Sequence, residues 1–143
     1  MTSRTLLSAA TLGLACLCGS AAASPDGAPH AAACVAALKA QEASLAESVK
    51  AGQSREPVLL TVVRSGIAII GTQYLAGLRE GEARELLKAA EQDFQALPPD
   101  EARARQSACL QEGEVLYSKA SPLEQSLITN AAQRRVRRLT ASS

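Results

Sequence analysis

Tryptophan is absent from this 143-residue chain, and its only aromatic side chains are Tyr74, Phe94 and Tyr117. Surfaces that bind single-stranded nucleic acid stack bases on several rings, and three rings spread along a chain do not supply one. Histidine occurs once, as His30. A Ser-His-Asp set needs a histidine held in an ordered position, and His30 falls in a proline- and glycine-containing lead, so no nucleophilic or acid–base constellation is expected. The carboxylates Glu80, Glu82 and Glu85 read as a solvated helix face. A C-x-x-C-H haem attachment is missing as well, so the expectation is a non-enzymatic protein with no cofactor and no resident metal. An excess of charge is also lacking. Of 15 basic residues only Arg4 precedes residue 24, and all 14 acidic residues follow it, so the two signs balance in the remainder. That balance gives no bias toward nucleic acid or anionic lipid.

The N-terminus is the most informative stretch. Arg4 is followed by an uncharged run from Leu6 to Leu17, and then by Gly19, Ser20 and Ala21-Ala22-Ala23. A basic start, a short apolar run and small residues at the cleavage positions are the pattern of a secretory signal peptide. Residues 1–23 are therefore expected to be removed, leaving a periplasmic or secreted chain. Cys16 and Cys18 raise the question of a lipid anchor, but Gly13-Leu14-Ala15 carries its leucine one place away from where the lipoprotein pattern needs it, so lipidation is not expected. About 120 residues then remain, enough for one domain with one modest core.

Only Cys34 and Cys109 survive removal of the signal segment. An even count in an oxidising compartment reads as one disulfide. The competing readings are weaker. His30 and Cys34 are four apart and can share a helix face, but a metal needs more ligands than two, and redox catalysts usually hold their thiols as C-x-x-C.

The body of the chain has helical periodicity. After a flexible lead over 24–30, a helix is predicted from Ala31 to Ala51, with Cys34, Leu38, Leu45 and Val49 on one stripe and Gly52 as its stop. Ser54 and Pro57 mark the next start. Residues 58–78 are almost wholly apolar or small, interrupted by Thr61, Arg64, Thr72 and Gln73, and suit a helix in the middle of a bundle. Two strands turning at Arg64-Ser65-Gly66 are the alternative, disfavoured because a lone hairpin is marginal. A membrane span is disfavoured because Arg64 would lie inside it. Gly66, Gly71 and Gly77 are read as points where a neighbouring backbone comes close.

A third helix is predicted over 81–97, with Ala83, Leu86, Leu87, Ala90, Phe94 and Leu97 inward. Pro98-Pro99 breaks the chain, and Asp100 and Glu101 open a fourth helix running to Lys119. Ser121-Pro122-Leu123-Glu124 is a capping box for a fifth, with Leu123, Leu127, Ile128, Ala131, Val136 and Leu139 expected inward. The fold class is thus an all-α, up-and-down bundle of four to five helices over residues 31–140, stapled by Cys34–Cys109.

Two features are left for function. Arg134, Arg135, Arg137 and Arg138 crowd the end of the last helix, where they complement its negative pole or meet an anionic partner. Val62, Ile69, Ile70 and Tyr74 form an apolar group that is either ordinary core or the wall of a small-molecule pocket. The expected role is an interaction or accessory module for another exported or envelope protein. The alternative is a carrier that holds an apolar small molecule between its helices.

Overall fold

A computed structural model describes residues 26–141; the expected signal segment, with Cys16 and Cys18, lies outside the described residues. Five helices follow one another: α1 (Ala28–Lys50), α2 (Glu56–Leu75), α3 (Glu80–Gln95), α4 (Pro99–Lys119) and α5 (Pro122–Thr140), with no strand among the described residues. The helix α1 begins three residues earlier than its periodicity indicated. Pro29 sits in its first turn, where a missing amide proton is harmless, and Ala28 is already buried. His30 is therefore a helical residue and not part of a mobile lead.

The helix ends follow local chemistry. Gly52 and Gly77 adopt φ of 86° and 103°, a region that a side chain disfavours. At each, the next residue's amide reaches back to close the helix, Gln53 to Ser48 at 3.0 Å and Leu78 to Gln73 at 2.9 Å. Gly77 is thus a helix stop, not the close-approach site that the sequence suggested. Ser54 does not cap α2; Arg55 occupies that position without a side-chain bond. The capping box of α5 is complete, with the Glu124 amide donating to Ser121 Oγ at 3.3 Å and the Ser121 amide donating to Glu124 Oε2 at 2.7 Å.

The direction of the helices alternates along the chain. On α1 and α4, His30 faces Glu112, Cys34 is bonded to Cys109, and the Ala37 carbonyl accepts from Gln106 at 3.3 Å, an antiparallel register. On α1 and α3, Ala28 clusters with Ala83, and Ala32 and Ala36 with Ala90, so these two run parallel. The centre is α1, which packs on all four other helices; α2 packs on α1, α4 and α5, while α3 packs on α1 alone among these faces. The small alanines of α1 permit that crowding: Ala31, Ala32, Ala36, Ala37 and Ala46 are all buried. The main core joins Cys34, Leu38, Leu45, Leu59, Val62, Val63, Ile69, Cys109, Ala132 and Val136.

The helix α2 alone among the described residues is long and apolar enough to cross a membrane. Its interruption, Arg64, is provided for by α4. The guanidinium lies 4.2 Å from the centre of the Tyr117 ring and reaches Glu114 at 3.4 Å, and the Tyr117 hydroxyl is 2.9 Å from Thr129 Oγ1 on α5. Among the described glycines the tightest approach is at Gly113, where a Cβ would stand 2.5 Å from the Ser65 Cβ and 2.7 Å from its carbonyl oxygen. Gly66 and Gly71, which the sequence marked for close approach, have no such neighbour; Leu38 Cδ1 is 4.0 Å from a Cβ at Gly66 and nothing is within that range at Gly71.

Candidate functional site

The largest departure from the expected pattern is at the start of α5. Ala132 and Val136 are buried, but Leu123 is 70% exposed and Leu127 60%. Beside them, at the end of α2, Leu75 is 80% exposed and Tyr74 is 44%. A helix in which every apolar position meets the core would have buried both leucines. Here an open groove of about 380 Å³ remains between the end of α2 and the start of α5, among Gly71, Leu75, Leu116, Ala120, Leu127 and Ile128. Glu124 sits at its rim. The Ser121 side chain first, and its backbone N–H second, hold the Glu124 carboxyl below the ordinary glutamate value, because both bonds favour the charged form.

The four apolar residues singled out from the sequence divide. Val62 and Ile69 are fully buried core, whereas Ile70 is half-buried and Tyr74 exposed. Val62, Ile70 and Tyr74 do share a groove of about 290 Å³ with Lys39, Glu42 and Arg135; Ile69 is not part of it. The arginines divide as well. Arg135 Nε donates to Glu42 Oε1 at 2.6 Å, and the Glu42 side chain is 8% exposed, so this arginine answers a buried carboxylate. Arg134, Arg137 and Arg138 face solvent and make no ion pair among the described residues.

A third cluster sits where α1 meets α4. His30 Nε2 is 2.7 Å from Glu112 Oε2, and the Cys34 sulfur is 3.8 Å from that nitrogen and 3.9 Å from that oxygen. A disulfide sulfur carries no proton, so these last two are contacts and not hydrogen bonds. Cys34 and Cys109 are buried, and an opening of about 480 Å³ leads to them past His30, Glu112, Glu101 and Arg105. The sequence joined only His30 and Cys34. Glu112 follows Cys109 by three residues, one helical turn, but nothing in the chain's order shows that this turn lands on His30 until the antiparallel register is known.

Comparison with family models, with curated proteins and with solved structures finds no match for this chain.

Proposed function

We propose that this chain is a non-enzymatic interaction module of an exported compartment, and that the groove between the end of α2, the end of α4 and the start of α5 takes one amphipathic helix of a partner protein. The observation that carries this reading is the pair of exposed leucines on the groove, Leu75 and Leu127, with the exposed Leu123 one turn before Leu127 on α5. Contiguous exposed apolar surface on a small domain marks a contact site, and a trough between helices with side chains at i and i+4 suits an apolar helical stripe. Export itself rests on residues 1–23 and on the disulfide, which favours an oxidising compartment. Carriage of an apolar small molecule is supported by the groove of Val62, Ile70 and Tyr74. Its volume of about 290 Å³ falls at the lower limit for such sites, and charged side chains line its edge, which favours the first reading.

The test is a crosslinked pull-down from the native host with the full chain. The wild-type protein is expected to capture a partner that the Leu75→Glu/Leu127→Glu double variant loses on the order of tenfold, while Arg137→Ala/Arg138→Ala retains it. Undiminished capture by the double glutamate variant overturns the groove assignment. A small apolar molecule retained in native mass spectrometry, with no partner captured, selects the carrier.

A further inference from the structure

We infer that the α1–α4 junction is a thiol-dependent metal site, in which reduction of the disulfide turns His30, Cys34, Cys109 and Glu112 into four ligands for Zn²⁺. Each helix presents its pair one turn apart, His30 and Cys34 at i and i+4 on α1, Cys109 and Glu112 at i and i+3 on α4. The antiparallel register brings the pairs together, and the disulfide itself demonstrates that the two sulfurs meet. Two sulfurs, one imidazole nitrogen and one carboxylate oxygen form a donor set that zinc takes with tetrahedral geometry.

The distances suit such an ion. Donor atoms on a tetrahedral zinc stand about 3.4 to 3.8 Å apart, given Zn–S near 2.3 Å and Zn–N or Zn–O near 2.0 to 2.2 Å. The Cys34 sulfur is already 3.8 Å from His30 Nε2 and 3.9 Å from Glu112 Oε2. All three donor atoms lie within 4.8 Å of one another. Two separations must open: the 2.7 Å approach of His30 to Glu112, by roughly 0.7 Å, and the two sulfurs, which reduction releases from their bond and which stand about 3.8 Å apart on the same bond lengths. His30 and Glu112 are partly exposed and free to make that shift, while the sulfurs sit at the floor of the opening, screened from solvent.

The chemistry balances with a dithiol or phosphine reductant. Two electrons and two protons convert the Cys34–Cys109 bond into two thiols as the reductant is oxidised. Zn²⁺ then displaces the two thiol protons into solvent and coordinates both thiolates, with the Glu112 carboxylate and the neutral His30 imidazole completing the set. One pair of helices is thus tied by a covalent bond under oxidising conditions and by an ion under reducing ones.

The full chain, reduced with a phosphine, is to be titrated with Co²⁺ and then Zn²⁺. One equivalent of Co²⁺ is expected to give the visible ligand-field bands of a tetrahedral site and a near-ultraviolet thiolate-to-cobalt charge-transfer band. Zn²⁺ abolishes both, and the oxidised protein shows neither. Cys34→Ser leaves one thiolate of the two and is expected to reduce the charge-transfer band to about half. His30→Ala and Glu112→Ala each weaken Zn²⁺ binding about tenfold or more. Cys109→Ser keeps three donors with a free Cys34, and is expected to bind Co²⁺ without any reductant. Circular dichroism in reducing buffer guards against loss of fold: Zn²⁺ raises the melting temperature of the reduced chain, or restores its helix content if reduction has unfolded it. Absence of tetrahedral bands in the reduced chain overturns the inference. So does equal affinity in a His30→Ala/Glu112→Ala variant, which would mean loose thiol binding, and so does a reduced chain whose helix content and melting are indifferent to Zn²⁺.

Discussion

At the scale of the residue, two positions carry more than their side chains suggest. Gly113 has no side chain at all, and that is its contribution: α2 and α4 touch there through backbone, with the Ser65 carbonyl and Cβ occupying the space an alanine would need. Alanine improves helix propensity by about 1 kcal/mol over glycine, so on an exposed turn the substitution stabilises. At this crossing the sign reverses, because overpacking against backbone costs on the order of 1–3 kcal/mol and the helices must separate to relieve it. Gly113→Ala is expected to lower the midpoint of chemical denaturation, with the slope unchanged; a raised midpoint would show that the two helices part without cost. Arg135 is the second position. It is one of four neighbouring arginines in the sequence, yet only its guanidinium reaches the buried Glu42 carboxylate. An uncompensated carboxylate in that environment is costly, which assigns Arg135 to the fold and leaves Arg134, Arg137 and Arg138 as the solvent-facing members of the cluster.

At the scale of the element, α5 is the most legible from its sequence and also the most misleading. Its start is fixed by reciprocal bonds between Ser121 and Glu124, a pattern visible in four consecutive letters. Replacing Ser121 with alanine is expected to cost roughly 1 kcal/mol. It also removes the first of the two bonds that hold the Glu124 carboxyl below its ordinary value, leaving the backbone N–H in place. A carboxyl lowered in the folded chain contributes stability that is complete above its unfolded value and is lost as pH falls through the folded one. The wild-type protein should therefore lose stability between those two values on acidification, and the Ser121→Ala protein should lose less across the same window. Melting curves taken through the acid range decide this, and parallel pH profiles for the two proteins would contradict it. The inner face of α5 was less legible. Apolar periodicity places Leu123 and Leu127 inward, since it assumes a neighbour along the whole helix, but the start of α5 borders an open groove instead. In α1 the opposite happens. Alanine gives little contrast between faces, so the contact with α3 through Ala28, Ala32 and Ala36 does not stand out in the letters, whereas the stripe of Cys34, Leu38 and Leu45 does.

At the scale of the whole molecule, helix order and alternation could be read from proline, glycine and capping signals, and the Cys34–Cys109 bond from the two cysteines that remain once residues 1–23 are set aside. What could not be read is which helices touch. Consecutive helices in an up-and-down bundle are usually neighbours, but neither α3 with α4 nor α4 with α5 forms a packed face; α1 and α2 act as the shared centre. The site at His30 was hidden for the same reason, because its members come from turns separated by 82 positions from His30 to Glu112. The covalent link compensates for the small core. Closing a loop with a sequence separation of 75 residues stabilises by on the order of 4 kcal/mol in the chain-entropy model. Cys34→Ala, measured with a chelator present, should then melt roughly 10–15 °C below the oxidised wild type while its helix content at room temperature is retained. An unchanged melting point would mean that the bundle holds its shape without the bond.

Because Cys34 lies near the beginning of α1 and Cys109 near the middle of α4, the bond encloses the rest of α1, all of α2 and α3 and the first half of α4 in a covalent ring. A protease that cuts the chain at Gly52, Gly77 or Pro98 opens the ring without dividing the molecule, since both fragments remain tied through sulfur. A cut in the turn at Ala120 falls outside the ring and leaves α5, with Leu123, Leu127 and every arginine of the terminal cluster, held by packing alone. Two strengths of attachment thus coexist in one small domain: a scaffold closed by sulfur, and a last helix whose only covalent tie is the turn before it.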